Sequence, residues 1–112
     1  MKVDIVAIPR DEGFGLTIVV SVANATDGSP LDGLLDSNFA VYVIQGPSGW
    51  SVGDHLKLTS GVFEPTIGVF AFAVDNNGTK VAPGSYTLAV FVKGFKGWAP
   101  LHGQTLATVT MK

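Results

Sequence analysis

Apolar and polar side chains alternate with a period of two along most of this chain, which is the pattern of β-strands. Aliphatic residues occupy every even position of one run: Leu16, Ile18, Val20 and Val22. A second run has the same spacing: Tyr86, Leu88, Val90 and Val92. Both runs are rich in β-branched or aromatic residues, which suit a pleated, half-buried surface. The pattern therefore predicts a protein built mainly from strands.

The alternation and its interruptions predict seven strands, near residues 3–9, 15–23, 38–45, 55–60, 67–74, 85–93 and 104–111. Turn signals separate them, namely Asp27-Gly28, Gly46-Pro47, Asn77-Gly78 and Pro83-Gly84. No window favours an amphipathic helix, so the crossover helices of a parallel sheet are not expected. We predict one antiparallel sandwich spanning residues 1–112. The residues predicted to be buried are Val20, Val41, Tyr86, Leu88 and Val90.

Two segments carry a resemblance to a known class of domain. Residues 28–34 (GSPLDGL) with 38–42 (NFAVY) resemble the strand crossing of bacterial immunoglobulin-like modules, as in surface adhesins and macroglobulin-like domains. Residues 83–88 (PGSYTL) resemble the turn and sixth strand of immunoglobulin-like and transthyretin-like sandwiches. The resemblance implies a seven-stranded antiparallel immunoglobulin-like sandwich. It also implies a role as a spacer, adhesin or assembly subunit, without choosing among them.

Within that frame, Tyr86 is predicted to fill one end of the core while its hydroxyl bonds to nearby backbone, as in a tyrosine corner. The chain departs from the antibody pattern, because it has no cysteine for the bridge between the sheets. Neither tryptophan lies in the third predicted strand. An antibody-type domain is therefore not expected.

Charged residues make up 14% of the 112 residues, well below the usual quarter. A surface this poor in charge is either a neutral, threonine-rich sheet surface or one that partners cover. The formal net charge is −2 and the seven Lys and Arg are scattered, so nucleic acid is not an expected partner. The absence of cysteine excludes disulfides, thiolate catalysis and blue-copper sites.

The N-terminus has no apolar segment typical of a signal peptide, and no apolar run is long enough to span a membrane. If Met1 replaces a removed leader, an extracellular or cell-surface location is favoured. Otherwise the cytoplasm is expected, and the residues do not choose between the two.

Catalytic and metal-binding patterns are largely missing. Only His55 and His102 could act as bases, and the neighbouring Asp54 should point to the opposite face of its strand. Residues 75–78 (DNNG) are interpreted as a hairpin turn rather than a calcium loop, because Asn77-Gly78 suits positive φ. We predict that the protein is not an enzyme and needs no cofactor or metal. A calcium site on the loop from Asp27 to Asp36, which also holds Asp32, is the lesser alternative.

Two apolar loops hold the candidate binding residues. The connection 94–103 is long for a hairpin and contains Phe95, Lys96 and Trp98, and the loop 46–53 contains Trp50. If the strands alternate up and down, these two loops lie at opposite ends of the sandwich and do not share a site. Each tryptophan could cap the core, contact a protein or stack on a sugar.

These observations lead to two hypotheses about function. The first is a non-catalytic interaction or structural module that acts through surface contact, including self-association into a homo-oligomer through the first or last strand. The alternative is a carbohydrate-binding type of module that uses the loop tryptophans. The mass in solution separates the two, because a sugar-binding module is usually monomeric.

Overall fold

A computed structural model describes all residues from 1 to 112 and contains ten strands. They are β1 (Val3–Asp11), β2 (Leu16–Asn24), β3 (Phe39–Gln45), β4 (Asp54–Leu58), β5 (Phe63–Thr66), β6 (Val69–Asp75), β7 (Gly84–Val92), β8 (Phe95–Lys96), β9 (Ala99–Pro100) and β10 (Gly103–Met111). All seven predicted strands are confirmed. The short strands β5, β8 and β9 were not predicted. The one helical segment is a 3-10 turn at Asp36–Asn38, so no helix here has the length to cross a membrane.

The strands pair antiparallel in the order β1-β2-β6-β4-β3-β7-β10. We call β1, β2 and β6, with β5 beside β6, the first sheet, and β3, β7 and β10 the second sheet. β4 pairs with β3 at its start and with β6 at its end, so it crosses from one sheet to the other. This is the immunoglobulin-like order of strands, with the five-residue β4 shared between the two sheets. The predicted all-β antiparallel sandwich is therefore confirmed, although β4 links the two sheets by hydrogen bonds to both of them.

Alternation along the strands produces the core. The inward residues of β2 and of β7 are buried, and the inward Phe70 and Phe72 of β6 pack their rings against Phe39 at 5.3 and 5.2 Å. All five residues predicted to be buried lie in this core: Val20, Val41, Tyr86, Leu88 and Val90. The predicted hairpin turn is also present, with φ of 51° at Asn77 and 91° at Gly78.

Tyr86 closes one end of the core. Its ring is buried, and its hydroxyl donates to the carbonyl of Ala82 at 2.7 Å, which confirms the predicted tyrosine corner. The neighbouring Gly46 lies so close that an added Cβ would stand 3.1 Å from this ring and 3.2 Å from Trp50. A side chain at position 46 would therefore require the two rings to shift by a few tenths of an ångström.

The sandwich nearly closes where β1 and β10 lie side by side and run in the same direction. The amide of Val3 donates to the carbonyl of His102 at 2.9 Å, and that of His102 donates to the carbonyl of Met1 at 3.0 Å. At the far end, the Asp11 carboxylate accepts the amide of Lys112 at 2.8 Å. No ladder of backbone hydrogen bonds joins the two strands between these points. Each of these strands thus covers the edge of the other, so neither offers the open edge on which the predicted strand pairing depends.

Candidate interaction surfaces

The predicted connection 94–103 folds as a small hairpin of β8 and β9, which we call the tip hairpin (residues 95–100). Its strands pair Phe95 with Pro100 and Lys96 with Ala99. Gly97 adopts a φ of 61°, as a tight turn requires, and Trp98 follows it at the apex. Trp98 is 99% exposed and Phe95 is 66% exposed. The structure therefore excludes a core-capping role for Trp98.

The base of the tip hairpin is held by Asn38, a buried polar residue at the end of the 3-10 turn, directly before β3. Its side-chain amide donates to the carbonyls of Lys93 at 2.9 Å and Phe95 at 3.4 Å. Its side-chain oxygen accepts the amide of Leu35 at 2.9 Å. One side chain thus joins the 31–38 segment to the strand that leads into the hairpin.

Two further contacts hold the hairpin in place. The Lys96 ammonium donates to the carbonyl of Asp32 at 2.6 Å and lies 3.5 Å from its carboxylate. Leu101 is buried in the core, and its amide donates to the carbonyl of Gly94 at 2.8 Å. The Lys96 side chain therefore supports the hairpin through these contacts.

Trp50 lies at the other end of the sandwich and has a different environment. It is half-buried and packs edge-on against Tyr86, with ring centroids 5.6 Å apart and an interplanar angle of 86°. Tyr86 is near the start of β7, whereas the tip hairpin follows the end of that strand. The structure thus brings Phe95, Lys96 and Trp98 together and separates Trp50 from them, as the expected alternation of strands predicted.

The histidines and acidic loops show no shared site. His55 packs against Tyr42 at 5.1 Å on the outer face of the second sheet, and the Asp54 carboxylate accepts the amide of Ser51 at 2.8 Å. Tyr42 meets Phe91 edge-on, at 81°, so these rings do not form a flat stacking platform. No group of three His, Asp or Glu side chains converges as a metal site would require.

Each carboxylate of the loop considered for calcium has a separate partner. Asp27 accepts the hydroxyl and then the amide of Ser29, at 2.6 and 2.9 Å, and these bonds lower the pKa of its carboxyl group. Asp32 contacts Lys96, and Asp36 accepts the amide of Val62 at 2.8 Å. The carboxylates brace the loop and do not point at a common centre.

A second surface was missed by the sequence analysis, namely the outer face of the first sheet. Its outward side chains are Val6, Ile8, Thr17, Val19, Ser21, Ala23, Phe63, Val69, Ala71 and Ala73. One row crosses four strands without a polar side chain: Ile8, Val19, Ala71 and Phe63. In this row Ile8 is 55% and Phe63 is 65% exposed. The sequence contains a signal for this face, because β1 has apolar residues at both odd and even positions. Val3 and Ile5 point inward, and Val6 and Ile8 point outward.

Comparison with protein-family models, with curated proteins and with solved structures found no match to this chain.

Proposed function

We propose that this chain is a non-catalytic interaction module that binds a protein partner through the tip hairpin. The observation that carries the proposal is the complete exposure of Trp98 on a hairpin braced by Asn38, Lys96 and Leu101. Burying an indole removes about 200 Å² from water, worth about 5 kcal/mol before the costs of association. A braced hairpin loses little conformational freedom on binding, so more of this energy is retained.

The neighbourhood of the hairpin supports a contact surface of more than one residue. Phe95 is exposed on the hairpin itself, and Leu35 and Ile67 are exposed on other loops at the same end of the sandwich. Aromatic side chains at the centre of an interface commonly supply most of its binding energy. The resemblance to adhesin and assembly modules agrees with this role and remains an expectation.

Site-specific photo-crosslinking in the cells that make the protein tests the proposal. A benzophenone amino acid replaces Trp98 in one variant and Phe14 in the matched control, because Phe14 is an exposed aromatic residue at the opposite end. We expect a defined crosslinked protein from position 98 and none from position 14. The partner identified in this way should bind Trp98→Ala at least tenfold more weakly than the unaltered chain.

The carbohydrate alternative is tested with a glycan array and a Trp50→Phe variant, in which Trp98 is the only indole. A change of its fluorescence on adding a defined oligosaccharide, lost in Trp98→Ala, would favour sugar binding. That result, or crosslinks of equal yield from both positions, would overturn the proposed protein contact.

A further inference from the structure

The outer face of the first sheet points to a second binding surface, away from the tip hairpin. We propose that two copies of this chain dock against each other through this face, with their β1 strands antiparallel across the interface. The proposal is independent of the tip hairpin and concerns a different surface of the molecule. It rests on the composition of the face and on the symmetry of its charges.

The composition of the face is unusual for a surface in water. Between the level of Asp4 and the level of Arg10, every outward residue of β1, β2 and β6, and Phe63 of β5, is uncharged. Most of them are aliphatic or aromatic; Val6, Ile8, Ser21 and Phe63 are exposed, and the others are half-buried. Exposed apolar areas that extend across several strands commonly mark contact sites.

The charges on β1 identify a second copy as the occupant. The outward residues of this strand are, in order, Asp4, Val6, Ile8 and Arg10. Consider a two-fold axis at the level of Ala7, perpendicular to the strands. It places the β1 strand of the second copy opposite the first, with its residues in the reverse order. Asp4 then faces Arg10 of the second copy, Val6 faces Ile8 of the second copy, and the same pairs occur again on the other side of the axis. Such self-complementarity is what an isologous interface requires.

Both charged groups are accessible for this pairing. Asp4 is exposed and forms no ion pair or side-chain hydrogen bond within the chain. The Arg10 side chain is 67% exposed, and its only ionic contact is with Glu12 at 3.6 Å. An incoming carboxylate could therefore reach the guanidinium without breaking a buried contact.

Docking through the face is favoured over pairing through the strand edge. Successive residues of an edge strand point their amides to alternate sides, and the amide of Val3 points to β10. The free backbone groups of Ile5, Ala7 and Pro9 therefore also point toward β10, which lies alongside. Pro9 in addition has no amide hydrogen to donate, and such prolines typically protect sheet edges.

The size of the face sets the expected strength. Four strands about 4.8 Å apart and about six residues long span roughly 400 Å² per copy. This is about half of the area that a standard interface covers on each partner, so the dimer should be weak. Its dissociation constant is expected to be on the order of tens to hundreds of micromolar.

Sedimentation equilibrium of the whole chain, up to a concentration of about 1 mM, tests the proposal. Ile8→Lys should weaken dimerisation by at least about tenfold, because each copy then places a lysine charge inside the apolar interface. Leu106→Lys is the matched control, since Leu106 is an exposed aliphatic residue on the outer face of the second sheet, 66% exposed against 55% for Ile8. It should leave the dimer unchanged, and melting curves establish that both variants fold.

Charge exchange tests the geometry itself. Asp4→Arg and Arg10→Asp should each weaken the dimer by about fivefold to tenfold, because each replaces two attractions with two repulsions. The double variant restores opposite charges and should return the dissociation constant to within about threefold of the original. Failure of this rescue would overturn the antiparallel arrangement.

Two outcomes would overturn the proposal as a whole. One is a monomer at every concentration tested. The other is a dimer that persists in Ile8→Lys but is lost in Trp98→Ala, which would place self-association at the tip hairpin instead. Crosslinking from position 98 is unaffected by the first outcome, so the two proposals can fail separately.

Discussion

Replacing Asn38 should both destabilise the protein and loosen the tip hairpin, because this one side chain satisfies backbone groups from two segments. Asn38→Ala removes the acceptor of the Leu35 amide and the donor to the Lys93 carbonyl, two bonds of 2.9 Å. The weaker contact with the Phe95 carbonyl, at 3.4 Å, is lost as well. The change thus leaves up to three polar groups without their partner at a partly buried site, in which Asn38 itself is 6% exposed.

The magnitude follows from these groups. Each buried donor or acceptor left without a partner costs about 1–3 kcal/mol, and water entering the site recovers part of that cost. We expect a loss of about 2–4 kcal/mol in the free energy of unfolding. Domains of this size have about 5–15 kcal/mol in total, so the variant should fold but melt earlier.

Asn38→Asp gives the sharper result. It keeps the acceptor for the Leu35 amide but puts a carboxylate oxygen against the Lys93 carbonyl, which raises the folded-state pKa above the unfolded value of about 3.9. The folded variant then binds protons more tightly than the unfolded chain. Its stability relative to the unaltered protein should be lowest at neutral pH and should recover as the pH falls through the raised pKa.

Urea denaturation at several pH values measures both variants, and Asn76→Ala is the control because Asn76 is exposed and its side chain makes no hydrogen bond. The control should change the unfolding free energy by less than about 0.5 kcal/mol. The midpoint should shift with little change in slope. A loss below about 0.5 kcal/mol for Asn38→Ala, or an Asn38→Asp variant without the pH dependence, would refute the bracing role.

Three further predictions concern the core, the tryptophans and one end of the closure. Leu88→Ala should cost about 2–5 kcal/mol in urea denaturation because it leaves a cavity between the sheets; a loss under about 1 kcal/mol would contradict the packing described. Trp98→Ala should change the melting temperature little, whereas Trp50→Ala should lower it clearly, since only Trp50 packs against Tyr86; equal shifts would contradict the assignment. The amides of Lys112 and then Gly13 lower the pKa of Asp11 below its ordinary value of 3.8. The ionised Asp11 therefore stabilises the fold at pH values above 3.8, and this stabilisation is lost as the pH falls through the lowered pKa. Asp11→Asn should therefore melt earlier than the unaltered protein at pH 7, and this difference in melting temperature should shrink in acid.

The long strands could be predicted from the sequence because their alternation is a local property. β5 was missed because it is only four residues long, contains Pro65 and follows Gly61, and it forms by pairing with β6. The tip hairpin was missed as a hairpin because its strands have two residues each, too few to show a period. In both cases the pairing partner, not the local pattern, determines the structure.

The candidate site shows the same division between local and long-range information. Composition and loop length identified Phe95, Lys96, Trp98 and Trp50, but the environment of each tryptophan depends on residues distant in sequence. Trp50 packs against Tyr86, thirty-six positions later in the chain. The tip hairpin depends on Asn38, which sequence reasoning treated only as the opening of a strand. Contacts of this range leave no periodic signal, so only the fold reveals which tryptophan is exposed.

The closure between β1 and β10 has a consequence for how the domain would carry force. The two strands run in the same direction, so Met1, before β1, and Lys112, after β10, lie at opposite ends of the strands. Tension applied between these two residues pulls β1 and β10 past each other lengthwise. The Val3–His102, His102–Met1 and Asp11–Lys112 bonds then bear the load together, whereas pulling a hairpin apart would break its bonds one after another. Along this axis the domain should extend little until those bonds fail at once, and then unfold abruptly.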